Sequence, residues 1–358
     1  MNIAIYTNIL DNGGISKFVY NLQRAFESKK VKSNIVTFYS DTIYGDNITL
    51  LNCSNHFSRI KSLRKYIKKN NIDAIISNTW FESFVAKMAS LFCGRNVKIV
   101  SVVHIRPNLW GFKENDIIRK MFSKLALSSS EKVIAVSNEL KDAMIEEKWV
   151  KRSKVTTIYN PVIFDEYIDN ENIVYRDIEN KENIEVAIIG WIQPRKAQDI
   201  IVKAFNCLED INYTLNFIGG VEEEAYNNEV LELINKFNLQ DKVKFWGVRN
   251  DVFDILNEMD VLISASRGEA LPTVMIEALY SETPIISSDC DYGPKEILNN
   301  GEYGLIFEVD NYEELALCFK KMVSDNKLYN KFISTSKERS KLFSFDKAID
   351  SYLNVLSK

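Results

Sequence analysis

Short, nearly all-apolar runs recur along this chain, each followed by a stretch with helical spacing, and that alternation restricts its fold more than any other feature. The first runs are Asn2–Thr7, Asn34–Phe38, Ala74–Ser77, Val97–Val103, Lys132–Val136 and Val155–Ile158. A second series follows at Glu185–Ile189, Thr214–Ile218, Val243–Trp246, Val261–Ala265, Pro284–Ser288 and Gly304–Phe307. Strands that lack polar alternation are buried on both faces, which calls for parallel sheets covered by helices on either side. Asn160-Pro161-Val162 breaks the pattern between the two series, and residues 163–183, dominated by Asn, Asp and Glu, read as a linker with part of a helix. The expected fold class is therefore α/β: two Rossmann-like, doubly wound domains, residues 1–162 and 163–341. In such folds ligands sit at the carboxyl ends of the strands, so a cleft between the domains is the expected site.

Composition agrees with two soluble cores. The chain has 358 residues, 46% hydrophobic and 26% charged, enough for two domains of ordinary size. No run approaches the ~20 apolar residues of a membrane span. Residues 1–10 read as a first strand rather than a signal peptide, which leads us to expect a cytoplasmic protein. The five cysteines, Cys53, Cys93, Cys207, Cys290 and Cys318, are scattered and read as small buried apolar residues without disulfides. With only His56 and His104 as histidines, a zinc site is not expected. Asp289-Cys290-Asp291 is the one metal-like spacing, and its position after a strand of the second series argues against metal binding. No metal or other cofactor is expected, and nothing points to nucleic acid as a partner.

The net charge of −4 conceals a division. Residues 1–162 carry 25 Lys and Arg against 13 Asp and Glu, while the remainder carries 20 against 36. A basic first domain suits an anionic membrane face or an anionic substrate. Its densest stretch, Arg59, Lys61, Arg64, Lys65, Lys68 and Lys69, interleaves with Phe57, Ile60, Leu63 and Ile67 at helical spacing. Either the apolar residues face the core and the cations face water, or the stretch is a patch for the membrane surface.

Three segments carry possible chemistry. Gly13-Gly14 follow the first strand and precede a helical pattern from Ser16 to Phe26, where a backbone can approach a ligand at a positive helix end; a plain tight turn is the other reading. Arg195-Lys196 lie beyond the strand ending at Ile189, before a helix over Asp199–Phe205, and are either diphosphate ligands or a solvated basic loop. The most informative segment is Ser264–Glu277, SASRGEALPTVMIE. A strand gives way to a loop holding Glu269, then to a helix with Pro272 as its first residue and Glu277 beyond. Acceptor-only carboxylates there suit sugar and ribose hydroxyls. The alternative is a dipole-favoured Glu269 and a surface Glu277.

EALPTVMIE, followed by TPIISSDCDYGPKEIL and Gly304-Leu305, closely resembles the retaining glycosyltransferases of family 4. Gly13-Gly14, AVSNELK at 135–141, IYNPV at 158–162, Lys196 before a helix, KFWGVRNDVFDIL at 244–256 and DVLISASRGEALP at 260–272 extend the likeness over nearly the whole chain. The resemblance implies a GT-B fold, with an acceptor-binding first domain and a nucleotide-sugar-binding second domain. It further implies that Glu269 contacts donor-sugar hydroxyls, that the amides of Ala270, Leu271 and Thr273 meet the diphosphate, that Lys196 binds it, and that Glu277 holds the ribose. Gly13 and Gly14 would let their loop close on the donor, and His104 would lie near the transferred sugar. One departure stands out: the family's Gly-Arg-Leu reads Gly190-Trp191-Ile192 here, which leaves Arg195 to replace the missing arginine.

The implied activity is transfer of a hexose or N-acetylhexosamine from a UDP-sugar to a glycan or lipid-linked glycan acceptor of lipopolysaccharide or capsule assembly. A peripheral place on the inner face of the plasma membrane would follow. A sugar-nucleotide epimerase of similar fold would need more acid–base groups than one histidine offers. A degenerate binding protein would not need Glu269, Glu277 and Lys196 intact. Residues 344–358 read as an amphipathic helix capped by Ser344 or Asp346, with Ala348, Tyr352, Val355 and Leu356 on one stripe; the resemblance returns residues 342–358 to the first domain. From its loop position, Glu269→Ala is expected to lower turnover far more than stability.

Overall fold

A computed structural model of the chain describes residues 1–11, 13–40, 48–51, 53, 55–105, 107, 116–162 and 175–357. It has two compact units, Met1–Phe164 with Phe343–Lys358, and Asp165–Leu342. Of the predicted linker, residues 163–174 and any helix there lie outside the described residues; residues 175–183 hold neither helix nor strand.

Unit 1 begins with β1 (Asn2–Tyr6), β2 (Ile9–Leu10), α1 (Gly14–Ser28), β3 (Lys32–Thr37), β4 (Tyr39–Ser40) and β5 (Ile48–Leu50). It continues through α2 (His56–Lys69), β6 (Ala74–Ser77), α3 (Trp80–Ser90), β7 (Lys98–Val103), α4 (Ile117–Ser129), β8 (Lys132–Ala135), α5 (Asn138–Glu146) and β9 (Val155–Thr157). Seven strands pair in the order β5-β3-β1-β6-β7-β8-β9, all parallel. Ala4, Ile5, Ile75, Ile76, Val100 and Ile134 in the central strands are fully buried, as two covered faces require. Side-chain caps begin three of these helices: Asn55 and Ser58 form a reciprocal capping box at α2, and Thr79 and Ser137 cap α3 and α5.

Unit 2 runs β10 (Ile184–Ile189), α6 (Gln198–Asn206), β11 (Tyr213–Ile218), α7 (Glu224–Lys236), β12 (Val243–Gly247), α8 (Val252–Glu258), β13 (Val261–Ser264), α9 (Thr273–Tyr280), β14 (Ile285–Ser288), α10 (Pro294–Ile297), β15 (Leu305–Phe307), α11 (Tyr312–Val323) and α12 (Asn326–Ser340). Its six strands are also all parallel, in the order β12-β11-β10-β13-β14-β15. All twelve predicted runs are strands. The short β2, β4 and β5 are additions, too brief to show a period.

The last helix, α13 (Phe345–Ser357), belongs to unit 1. Ser344, rather than Asp346, serves its start: its hydroxyl accepts the Lys347 amide at 3.4 Å, while Asp346 pairs with Lys29 at 2.7 Å. Phe345, Ala348, Ile349, Tyr352 and Leu356 are buried, Val355 only partly. Tyr352 meets Phe26 of α1 edge-on at 6.3 Å, and Lys98 donates to the Leu356 carbonyl at 2.9 Å.

Three local expectations are corrected. Phe57 is 80% exposed, because the buried side of α2 runs through Leu63, Tyr66 and Ile67. Cys207 is exposed at the end of α6 and only Cys290 is buried, although all five cysteines are free. Pro272 is the N-cap of α9 in an extended conformation rather than its first residue. Arg59 and Arg64 are not free surface charges. Arg59 lies over the Phe38 and Tyr39 rings, and Arg64 donates to the Met88 and Ala89 carbonyls at 2.8 and 3.2 Å.

The Tyr352 hydroxyl is buried without a hydrogen-bond partner among the described residues. Tyr352→Phe is therefore expected to stabilise the protein by about 1 kcal/mol, since an unsatisfied hydroxyl is removed. Tyr352→Ala should cost about 3–5 kcal/mol through the cavity it leaves. Chemical denaturation of the two variants checks the sign of each.

Candidate active site

In unit 2, polar residues gather where β10 and β13 end. The loop leaving β10 is fitted against the loop leaving β11. Gly219, at φ +151°, would place a Cβ 2.1 Å from the Gly190 carbonyl oxygen, so only glycine is accommodated there. The Ile192 amide donates to the Gly220 carbonyl at 2.8 Å. Trp191 lies against Gly220, where a Cβ would come 2.3 Å from the indole ring. The indole thus occupies ground between the two loops, and no cation stands at that position. Pro194–Lys196 then make one 3-10 turn, and Ala197, in the left-handed region at φ 52°, leads into α6.

That turn delivers both cations to Glu269. Lys196 Nζ donates to Glu269 Oε1 at 2.6 Å, Ser266 Oγ donates to the same oxygen at 2.8 Å, and an Arg195 guanidinium nitrogen lies 3.1 Å from Oε2. Arg195 also donates to the Gly268 carbonyl at 3.0 Å. The Glu269 side chain is only 10% exposed. Burial by itself would raise its carboxyl, but Lys196, Arg195 and the Ser266 hydroxyl hold it below the ordinary carboxylate range. Glu269→Ala would also strand Lys196 without its carboxylate, so some cost in stability is expected beside the larger loss of turnover.

Backbone bonds fix the same loops. The Glu269 amide donates to the Asp291 carbonyl at 3.2 Å, and the Arg267 amide donates to the Arg195 carbonyl at 2.7 Å. The amides of Ala270, Leu271 and Thr273 donate to no backbone carbonyl among the described residues. They stand at the start of α9, where unpaired N–H groups and the helix dipole favour an anion. Glu277, four residues into α9, is 2% exposed and so is no surface glutamate.

Two residues in this region escaped the sequence reading. Ser266 supplies a hydroxyl to Glu269. Arg267 donates to Asp199 at 3.0 Å, to Asp310 at 2.7 Å and to the Pro194 carbonyl, which ties the Glu269 loop to the turn bearing Arg195 and Lys196. Both lie inside the quoted SASRGEALP stretch, but the number of partners a side chain reaches has no sequence signal.

In unit 1, Gly13 is the N-cap of α1 and Gly14 its first residue. A Cβ at Gly13 would come 2.8 Å from an Asp11 carboxylate oxygen, whereas one at Gly14 meets nothing within 4 Å. Phe18, one turn along α1, packs edge-on against His104 at 4.5 Å. His104 follows β7, and its Nε2 lies 3.2 Å from the Asn78 side-chain oxygen. The Asn78 amide nitrogen donates to the Tyr6 carbonyl at 3.0 Å, which fixes the amide's orientation. Nε2 of His104 is consequently the protonated nitrogen and Nδ1 the acceptor. Burial depresses the imidazole to about 3, so it is neutral at physiological pH.

Glu82, absent from the sequence reading, lies beneath this arrangement. It is 2% exposed and accepts the Asn8 and Asn78 amides at 2.7 and 2.9 Å and the Thr7 hydroxyl at 3.4 Å. Burial pushes its carboxyl up to about 7, although these hydrogen bonds pull the other way. A raised folded-state value means that the folded chain holds this proton after the unfolded chain has lost it. The resulting stabilisation is complete below about pH 4.5 and lost as pH rises through 7. Relative to Glu82→Gln, wild type is expected to lose about 3 kcal/mol of stability between pH 4 and 7. Denaturant titrations of both proteins measure this, and a pH-independent difference contradicts it.

Residues 12–166 match the model of the family described as Glycosyltransferase Family 4, and residues 169–339 match that described as Glycosyl transferases group 1. An N-acetylgalactosamine-N,N'-diacetylbacillosaminyl-diphospho-undecaprenol 4-alpha-N-acetylgalactosaminyltransferase of Campylobacter jejuni is 25% identical, over 73% of this chain and 70% of its own. The capsular polysaccharide biosynthesis glycosyltransferase CapM of Staphylococcus aureus is 26% identical, over 76% of this chain and 73% of its own. Among solved structures, HepE of Anabaena in complex with UDP superposes with a TM-score of 0.84 at 18% identity, covering 100% of both chains. The two family models together take in all but the ends of the chain and a two-residue join, and the chain belongs to the GT-B glycosyltransferases of the family 4 type, which transfer sugar from a nucleotide sugar.

Proposed function

We propose that this glycosyltransferase moves a hexose or N-acetylhexosamine from a UDP-sugar to a lipid-linked surface-glycan acceptor, with retention of anomeric configuration. The observation that carries the reading is the Lys196–Glu269–Arg195 cluster set beside the unpaired amides that open α9. The names of the Campylobacter and Staphylococcus relatives support the acceptor class, and the UDP held by HepE supports the nucleotide.

As the bond between sugar and diphosphate breaks, negative charge develops on the departing phosphate. Lys196, Arg195 and the amides of Ala270, Leu271 and Thr273 meet that charge. Glu269 holds both cations in place and presents carboxylate oxygens to sugar hydroxyls, while Glu277 accepts the ribose hydroxyls. The acceptor hydroxyl forms its new bond on the face the diphosphate leaves, and its proton passes to the departing phosphate oxygen. Neutral His104 offers Nδ1 to a hydroxyl of the transferred sugar and takes no part as an acid. Gly14, with open space where a side chain would stand, leaves room for the α1 loop to approach the donor.

Because fixed cations meet the developing charge, transfer is expected to proceed without a metal. Turnover should survive excess EDTA, and loss restored only by Mg²⁺ or Mn²⁺ would refute this. Glu269→Gln, which keeps the size of the side chain, is expected to lower kcat by about 10²-fold or more, within the range seen when one stabilising group is removed from an active site. Hydrolysis of UDP-glucose, UDP-galactose and their N-acetyl forms, followed by transfer to undecaprenyl-diphosphate-linked sugars, tests the activity. Faster turnover of GDP-linked donors would contradict the nucleotide assignment.

A further inference from the structure

We infer that α4 of unit 1 is a membrane-docking element that seats an apolar stripe in an anionic bilayer surface. The inference rests on the lipid-linked acceptor proposed above and names the surface that would reach it. Ile117, Ile118, Met121 and Leu125 are between 55% and 72% exposed, and Phe122 is 39% exposed. Their spacing places all five within one arc of the helix, opposite Ser123, Ala126 and Leu127, which face the core. Five large apolar side chains in one contiguous arc form a patch rather than scattered exposure, and such patches mark interaction surfaces.

Charge selects the occupant. Helix α3 packs against both α2 and α4, so the three make one layer. Their sequences contain ten Lys and Arg: Arg59, Lys61, Arg64, Lys65, Lys68 and Lys69 in α2, Lys87 in α3, and Arg119, Lys120 and Lys124 in α4. The only acidic residue among these helices is the buried Glu82. Lys61, Lys65, Lys68, Lys69 and Lys124 are exposed. A second copy of this layer would bring like charges together, whereas anionic lipid supplies the counter-charge and an apolar boundary for the stripe. The lysines of α2, for which the sequence left a solvated face and a membrane patch both open, become the flank of a surface whose apolar anchor lies on α4.

Co-sedimentation of the full chain with vesicles decides the matter. Phosphatidylcholine vesicles containing phosphatidylglycerol should bind wild type, and phosphatidylcholine alone should bind it far less. The exposed-site variant Ile118→Asp/Met121→Asp/Leu125→Asp should bind the anionic vesicles about tenfold or more weakly. It should keep its melting temperature, its affinity for UDP and its hydrolysis of UDP-sugar, none of which needs a membrane. Lys65→Glu/Lys68→Glu/Lys69→Glu should lose the salt-sensitive part of the binding. Wild-type binding by the Asp variant, or no binding by wild type, overturns the inference. So does a wild-type oligomer that the Asp variant dissolves, because the stripe would then be a subunit interface. None of these outcomes touches the UDP-sugar chemistry, whose failure would show separately as loss of donor turnover.

Discussion

Parallel pairing of every strand in the two large sheets is the constraint on which the rest of this molecule depends. Parallel neighbours need a crossover, most of the crossovers here are helices, and helices on both faces leave the sheet edges and the loops as the places for polar groups. The carboxyl ends of the strands collect those loops. Gly190 and Gly219 end β10 and β11, Ser266 to Glu269 follow β13, and His104 follows β7. Each unit therefore brings its candidate site residues to the carboxyl ends of its strands.

Glu269, with its side chain 10% exposed, and Glu82, 2% exposed, show how surroundings set the state of one chemical group. Glu269 lies against two cations and a hydroxyl and stays ionised; Glu82 receives backbone amides but no cation, and burial drives it toward neutrality. Glu269 is thus suited to hold cations and accept hydroxyls. Glu82 orders the Asn8 and Asn78 amides, and through the Asn78 side chain the tautomer of His104. A neutral, oriented imidazole is a hydrogen-bonding group rather than a proton source.

The sequence was most informative where periodicity is strong. The twelve apolar runs fall on strands, and the chain's last helix was legible from its stripe because Ala348, Tyr352 and Leu356 all face the core. Within unit 2, the resemblance gave Lys196 to the diphosphate and Glu269 to the donor sugar, while their ion pair went unread, since residues 73 positions apart share no local pattern. The rest was hidden for physical reasons. Strands of two or three residues have no period to read, and Glu82 looks like any helix-start carboxylate until its burial is known. The apolar arc on α4 reads as an ordinary amphipathic face: only the fold shows that Ser123, Ala126 and Leu127, rather than the larger residues, are the ones turned inward. Trp191 packs on Gly220, and Arg195 is tied to Glu269 from the next turn; neither contact has a local sequence signal.

The central claim is that Lys196 and Arg195, ordered by Glu269, recognise the diphosphate of a uridine nucleotide. Calorimetric titration with UDP and UMP tests it most directly, because the two ligands differ only in the second phosphate. The account predicts that wild type prefers UDP, and that Lys196→Ala erases most of that preference while leaving affinity for UMP nearly unchanged. A charge-assisted hydrogen bond is worth about 1.5–3 kcal/mol, so the preference should fall by roughly ten- to hundredfold. An undiminished preference for UDP in Lys196→Ala would contradict the account.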